Sequence, residues 1–443
     1  MSGAIVPTTR RQWREMMLIG GPAALLVVAA FWLAYQFVEP APPSHIVITT
    51  GSEQGAYFAF AQRYREKLAK NGIRLEVLPS KGSVENTERL AAATKAGEPH
   101  VDVALLQGGI ANGDTLPGMV SYGRVFLEPV WVFHRLDGEV DRLSQLAGKR
   151  IAIGAVGSGT RKLVETLLEA NGIGADTATL LPLGSASALE ALERGEADAA
   201  FFSLAPESPL IQKLMRDERF KLASLKQAEA YTRRFPFLSR IVLPEGAIDL
   251  VRNIPAHDVV MVAAQAGLVG RADLHPALAW PLVDALKTTH SEGGMFQRIG
   301  DFPKASDPEF EMSEDALRIY QSGAPFFQRF LPFWLASFIE RMIIMVVPIA
   351  TILLPLVKLG PMLYEWRIRS RLLYWYAQLK ELERQMAAVQ QSGEAMASRP
   401  FRAMIDRIDE AVSTIPVPLH YSDRLYELRG AIELVRQRIE TRG

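Results

Sequence analysis

The chain has 443 residues, with 49 basic and 49 acidic side chains, seven histidines and no cysteine. Balanced charge gives no field to attract nucleic acid or an acidic polymer, so no nucleic-acid role is expected. The lack of cysteine excludes disulfides, thiolate chemistry and Cys-bearing zinc sites, and the scattered histidines form no HxH or HExxH, so neither a metal nor a cofactor is expected.

Residues 17–38 read MLIGGPAALLVVAAFWLAYQFV, an uncharged run long enough for a helix rising ~1.5 Å per residue to cross a ~30 Å hydrocarbon core. The run exceeds the apolar region of a signal peptide and no small-x-small site follows it, which favours an uncleaved anchor over a cleaved leader. A second apolar run opens at Met342 with MIIMVVPIATILLPLVKL and is read as a span over 342–362. Arg10, Arg11 and Arg14 precede the first run, and Lys358, Arg367, Arg369 and Arg371 lie at or beyond the end of the second. The positive-inside rule then places both termini in the cytoplasm and the residues between the spans outside. The expected organisation is a cytoplasmic N-terminus (1–16), a span (17–38), a Pro-rich tether (39–43), an extracytoplasmic domain (44–325), an interfacial segment (326–341), a second span (342–362) and a cytoplasmic helical module (363–443).

After the tether, short β-branched runs alternate with amphipathic stretches. His45–Thr49 predicts a strand, Ala56–Lys70 a helix, Ile73–Leu78 a strand, Val84–Ala96 a helix and Val101–Leu106 a strand. This is a βαβαβ order, which implies an α/β fold with a mostly parallel sheet. The alternation restarts at Arg150–Gly154, with a helix over Gly159–Asn171 and a strand ending at Phe202. Two lobes follow, one over about 44–133 plus 240–325 and the other over about 134–239. Ligands of open parallel sheets sit beyond the carboxyl ends of the strands, so the loops after Thr49, Leu78, Leu106, Ile153 and Phe202 should face the site.

Those loops are rich in glycine and hydroxyls. Gly154-Ala-Val-Gly-Ser-Gly-Thr160 follows a strand and opens a helix, so free backbone N–H groups and two hydroxyls meet at the positive end of a helix dipole. It is no Walker A loop, because Thr160 and Arg161 stand where that motif needs Lys and Ser or Thr. A carboxylate or phosphate site and a plain glycine turn with Ser158 or Thr160 as helix cap are both open readings. Thr49 to Tyr57 and Lys81 to Asn86 repeat the pattern. Glu53, Glu85, Lys81 and Lys162 read as solvated loop charges, and His100 with Asp102 as a structural pair.

Beyond the second span, Leu372, Trp375, Leu379, Leu382, Met386 and Val389 follow 3,4 spacing, as do Leu425, Leu428, Ile432, Val435 and Ile439, with a weaker stripe of Phe401, Met404, Ile408 and Ala411 between. Each stripe is too short for a long coiled coil, so a helical hairpin or small bundle is expected, built internally or with a partner.

Across about 44–325 the chain resembles the TAXI family of solute-binding proteins, the extracytoplasmic receptors of TRAP transporters. The segments that carry the resemblance are TTGSEQGAY, GSVEN, DVALLQ, LEPVWVFHR, LAGKRIAIGAVGSGTR and GEADAAFFSLAPES, in the family's order. It implies a two-lobed, type II-like periplasmic-binding clamshell that captures a small carboxylate such as glutamate, 2-oxoglutarate or a dicarboxylate and delivers it to a membrane permease. The positions that match the family motifs are Gly51, Ser52 and Tyr57, then Ser83 and Asn86, then Gln107, then Ser158, Gly159, Thr160 and Arg161, with Phe202 and Ser203 at the second-lobe strand end. Gln54 departs from the family's Gly-Gly pair and sets a side chain where backbone approaches.

The expected function is a membrane-anchored receptor partnered by a TRAP-type permease or another inner-membrane protein. The alternative is a tethered sensor signalling through the cytoplasmic helices. No GxSxG, metal-spaced histidine set or nucleophile–base pair points to an enzyme.

Overall fold

The computed structural model of the chain describes residues 21, 24–33, 35–36, 40–93, 100–392, 398–415 and 422–442. In chain order the elements are α1 (Ala24–Leu33), β1 (His45–Thr49), α2 (Ala56–Lys70), β2 (Arg74–Leu78), α3 (Ser83–Ala92), β3 (Val103–Gln107) and β4 (Met119–His134). Then follow β5 (Arg150–Ala152), α4 (Gly159–Glu169), β6 (Thr179–Leu181), α5 (Ser185–Arg194), β7 (Ala199–Ser203), α6 (Pro209–Arg216), β8 (Lys221–Leu222), α7 (Ala228–Arg234), β9 (Leu238–Leu243) and β10 (Val259–Arg271). The chain closes with α8 (Ala279–His290), α9 (Glu314–Ser322), α10 (Phe333–Ser392), α11 (Ser398–Ser413) and α12 (Ser422–Arg442). It divides into two compact units, one of residues 40–339 and the other of 1–39 with 340–443.

In the first unit the main path of the sheet runs β2-β1-β3-β10-β4-β7-β5-β6, with β8 beside β4 and β9 beside β10. The sheet is mixed, not mostly parallel. β1 pairs in parallel with β2 and β3, and β5 with β6 and β7, as the βαβ order requires, but the long strands β4 and β10 run antiparallel to their neighbours. Both were missed as crossing strands because a strand that passes between two lobes changes environment along its length and shows no single period.

The crossing point is visible in the pairing. Up to Pro129, β4 pairs with β10, and from Val130 it pairs with β7. Strand β10 pairs with β9 as far as Ala264 and with β3 from Ala266. Each lobe is a sheet covered on both faces. In the first, Ile46, Ile48, Val103 and Leu105 pack against α2, α8 and α9, while Val47, Ala104 and Leu106 face Leu90 of α3. In the second, Val130 and Val132 pack with α4 and α7, and the alternate residues Trp131 and Phe133 with α5 and α6. Val259–Ala264 and β9 belong to these second-lobe cores. The chain therefore returns to the first lobe near Gln265 and not at 240, because β9 completes the second sheet before the crossover.

In the other unit the C-terminal part of α10 packs with α11 and α12 around Leu372, Leu379, Leu382, Ile405, Ile408, Val412, Leu428, Ile432, Val435 and Ile439. The expected stripe on α11 is shifted, since Met404 is exposed while Ile405 and Val412 are buried. Arg436 bonds Asp406 and Asp409, and Arg438 bonds Glu383, around the edge of this core. The apolar stripes thus face one another and form a small internal bundle.

Among the described residues one helix segment, Phe333–Thr351, is long and apolar enough to cross a membrane. It begins at Phe333, ahead of the expected 342, because α10 is already helical and aromatic before the Glu340–Arg341 pair. Of the expected first span, α1 is described as a shorter apolar helix, and residues 17–20 with several others lie outside the described residues.

Candidate functional site

Where the strand-end loops of the two lobes meet, they enclose a cavity of about 620 Å³. Gly51, Ser52, Tyr57, Ser83, Gln107, Ser158, Gly159, Thr160 and Ser203 line it, as the strand-end reading expects. Four helices open onto it: α2 after Gly55, α3 after Gly82, α4 after Ser158 and α6 after Ser208, and each of these four N-cap residues is part of the lining. The first N–H groups of a helix have no intrahelical acceptor and carry its positive dipole end, so together they make this wall attractive to an anion without a formal charge.

The lobes touch here. Gln107 Nε2 donates to Ser203 Oγ at 3.1 Å, joining the end of β3 to the end of β7. Gln107 N–H in turn donates to Ser83 Oγ at 3.0 Å. A Cβ on Gly159 would lie 2.3 Å from Gln107 Oε1, so only glycine permits this approach. Gly82 lies beside Ser158 with room for a Cβ at 3.4 Å from its Cα, and it is the backbone angle φ +131° that calls for glycine there.

Ser158 is a helix cap as well as a lining residue. Its Oγ accepts from Arg161 N–H at 3.2 Å and donates to Ala155 O at 2.7 Å. Thr160 lines the cavity without that commitment. The cap reading of the GSGT loop therefore holds at Ser158, and Thr160 is left as a hydroxyl of the cavity lining.

Three expected site residues do not line the cavity. Asn86 is buried beneath it, donating to Thr50 O and Leu105 O and accepting from Thr49 and Ser80 hydroxyls, so it clasps the strand-end loops together. Arg161 turns along its own helix to Glu165 at 2.8 Å, and Phe202 is packed in the second-lobe core. Gln54 stands exposed in the cavity wall, so the departure from the family pattern falls at the mouth. Glu53 and Lys162 are exposed as expected, Glu85 accepts from Lys81 N–H and pairs with Arg89, but Lys81 joins the lining. His100 bonds Asp102, whose other oxygen accepts from Val47 N–H, a structural pair; no cluster able to hold a metal occurs among the described residues.

A second group of lining residues was not anticipated. Phe60, Phe126, His290, Met295 and Phe296 belong to it, with Glu128 among them. Tyr57 Oη donates to Glu128 Oε2 at 3.0 Å, and its ring meets Phe126 edge-on at 5.9 Å. Burial pushes the Glu128 carboxyl up to about 7, although the Tyr57 hydrogen bond and the Arg124 charge act against that shift. Burial also raises the Tyr57 phenol well above its ordinary value and lowers His290 to about 3, so His290 is neutral; its Nε2 lies 2.5 Å from Tyr64 Oη. The one available signal was a single acid inside the apolar run from Val125 to Phe133.

Behind this group Arg124 is fully buried and pairs with Asp307 at 2.5 Å and Glu309 at 2.6 Å, while its Nη1 donates to Gln265 O at the crossing point. Its charge is thus committed to β10 and to the 307–309 segment.

A two-lobed α/β unit that closes strand-end loops over a cavity is a small-molecule-binding architecture. The chain belongs to the NMT1-like family, whose model matches residues 48–293. Among solved structures it is similar to the alkanesulfonate-binding protein of Xanthomonas axonopodis pv. citri bound to MOPS, at 15% identity over 56% of this chain and 74% of that one, with a TM-score of 0.35. It is also similar to the periplasmic aliphatic sulphonate binding protein of Escherichia coli, at 11% identity over 74% of this chain and 88% of the other, with a TM-score of 0.36.

Proposed function

We propose that this protein is a membrane-anchored extracytoplasmic receptor of the TAXI type, which captures a small carboxylate-bearing solute for a TRAP-type permease. The observation that carries this reading is the convergence of four helix starts, with their glycine and hydroxyl residues, on one cavity between two lobes. Such a wall suits a carboxylate, which accepts several N–H and O–H bonds at once. The apolar segment of α10 and the arginine bias around both apolar runs support the anchor and its orientation.

A sensor is the second reading, and one feature favours it. Within the unit of 1–39 and 340–443, α10 runs unbroken from the apolar segment into the bundle it forms with α11 and α12, a continuous element able to carry a displacement. The bundle's stripes are occupied by its own core, which removes them as the docking surface for a partner.

Titration calorimetry of the detergent-solubilised full chain with small mono- and dicarboxylates tests the receptor reading, and the expected outcome is saturable binding of at least one. Absence of binding across the panel would remove the carboxylate reading. Protease added to spheroplasts should digest residues 44–325 and spare a tag after Gly443; a digested tag would overturn the two-span topology.

A further inference from the structure

The cavity holds a charge-bearing group that an anion alone does not explain. Glu128 lies among Phe126, Phe60, Tyr57 and the neutral ring of His290, which stacks on Phe126 at a centroid distance of 5.6 Å. Among the described residues Tyr57 is the one hydrogen-bond partner of its carboxyl. The nearest buried cation, Arg124, is held by Asp307, Glu309 and Gln265 O. The other basic groups of the lining, Arg63 and Lys81, are exposed residues at the mouth, alongside the exposed acids Glu207 and Glu292. The lining therefore offers one carboxyl beside a cluster of aromatic side chains, with no cation paired to it among the described residues.

A carboxylate beside aromatic rings is a receptor for an ammonium group, which gains from the opposite charge and from the negative faces of the rings. The helix starts that line the same cavity take an anion. We infer that Glu128 is the specificity-determining residue of this cavity, receiving the ammonium group of a zwitterionic amino acid whose carboxylate rests on the helix-start wall. This rests on the receptor reading above and narrows it: amine-bearing acids are selected over their keto counterparts. A 2-oxo acid presents a carbonyl oxygen to Glu128 and binds only with the carboxyl protonated.

The titratable groups around Glu128 are Tyr57 on α2, Arg124 on β4 and His290 on α8, with Arg63, Lys81, Glu207 and Glu292 at the mouth. Tyr57 and His290 are held neutral by burial through the range where Glu128 changes charge. Binding an ammonium ion to Glu128 near pH 6.5 thus releases the larger fraction of a proton from the carboxyl to the buffer, whereas binding a keto acid takes up the smaller remaining fraction.

The test is calorimetry on the detergent-solubilised full chain with matched pairs: glutamate and 2-oxoglutarate, leucine and 4-methyl-2-oxopentanoate, phenylalanine and phenylpyruvate. For whichever pair binds, the amino acid should bind at least about tenfold tighter, and Glu128→Gln should weaken it about ten- to a hundredfold while leaving the keto acid unchanged or tighter. Retained keto-acid binding shows that the variant is folded. Should the variant not fold, the wild-type preference and its proton release, measured in buffers of different ionisation enthalpy, decide the matter. A wild-type preference for the keto acid, proton uptake with the amino acid, or an unchanged preference in Glu128→Gln overturns the inference and leaves the receptor reading standing. Binding of none of the six overturns this inference, and the wider panel of mono- and dicarboxylates then decides the receptor reading.

Discussion

Along one wall of the cavity the polar groups are hydroxyls and helix-start amides; along the other a single carboxyl sits among aromatic rings. The first wall is made of loops and attracts an anion through aligned dipoles, so no one residue carries it. The second is made from β4, α2 and α8, and its electrostatics depend on one side chain and on the buried Arg124 network behind it. A substitution on the first wall removes one of several contacts, whereas a substitution at Glu128 removes the charge on which the second depends.

The largest effect that separates them should come from behind the second wall. Arg124→Ala leaves Asp307 and Glu309 buried without their cation, and breaking such a pair costs about 3–5 kcal/mol of stability. Chemical denaturation of the detergent-solubilised chain should show it. A midpoint equal to the parent's would mean that the two acids find other partners or take up protons without cost.

On the first wall, Thr160→Val should reduce affinity for a carboxylate probe by about ten- to a hundredfold, since a hydrogen bond to a charged group contributes roughly 1.5–3 kcal/mol. Melting temperature should stay the same. Unchanged affinity would take Thr160 out of the contact set and leave the amides as the anion site.

The third prediction concerns pH and the second wall. The Glu128 carboxyl is raised to about 7 in the folded protein, so between its ordinary value and 7 the folded state holds a proton that the unfolded state has lost. Its contribution is complete below the unfolded value and is lost as pH rises through about 7. Because the cavity admits water, the loss should be on the order of 1–2 kcal/mol, below the full shift. Glu128→Gln should flatten that part of the stability profile, and a slope that survives the substitution would assign it to other groups.

The smallest effect is at Ser158. As a cap bonded to Arg161 N–H, it should cost about 1 kcal/mol of stability when changed to Ala, with little change in affinity. Lost affinity at unchanged stability would reverse the roles of Ser158 and Thr160.

What the sequence by itself determined is local. Strand-to-helix alternation predicts the βαβ units, and glycine- and hydroxyl-rich loops predict the wall that lines the cavity, because both depend on residues within one turn or strand of each other. The 3,4 stripes of the C-terminal segment predict helices for the same reason. Only the tertiary structure decided that those stripes pack on one another, since an apolar face carries no label for its partner. It alone showed that β4 and β10 cross between lobes, that Asn86 is a clasp beneath the loops, and that Ser158 caps its helix while Thr160 lines the cavity. The Glu128 wall belongs to the same class: Tyr57, Glu128 and His290 lie far apart in sequence and acquire their shifted titration only when three elements bury them together. Periodicity records what one element needs from its neighbours, whereas desolvation and pairing depend on which neighbours arrive.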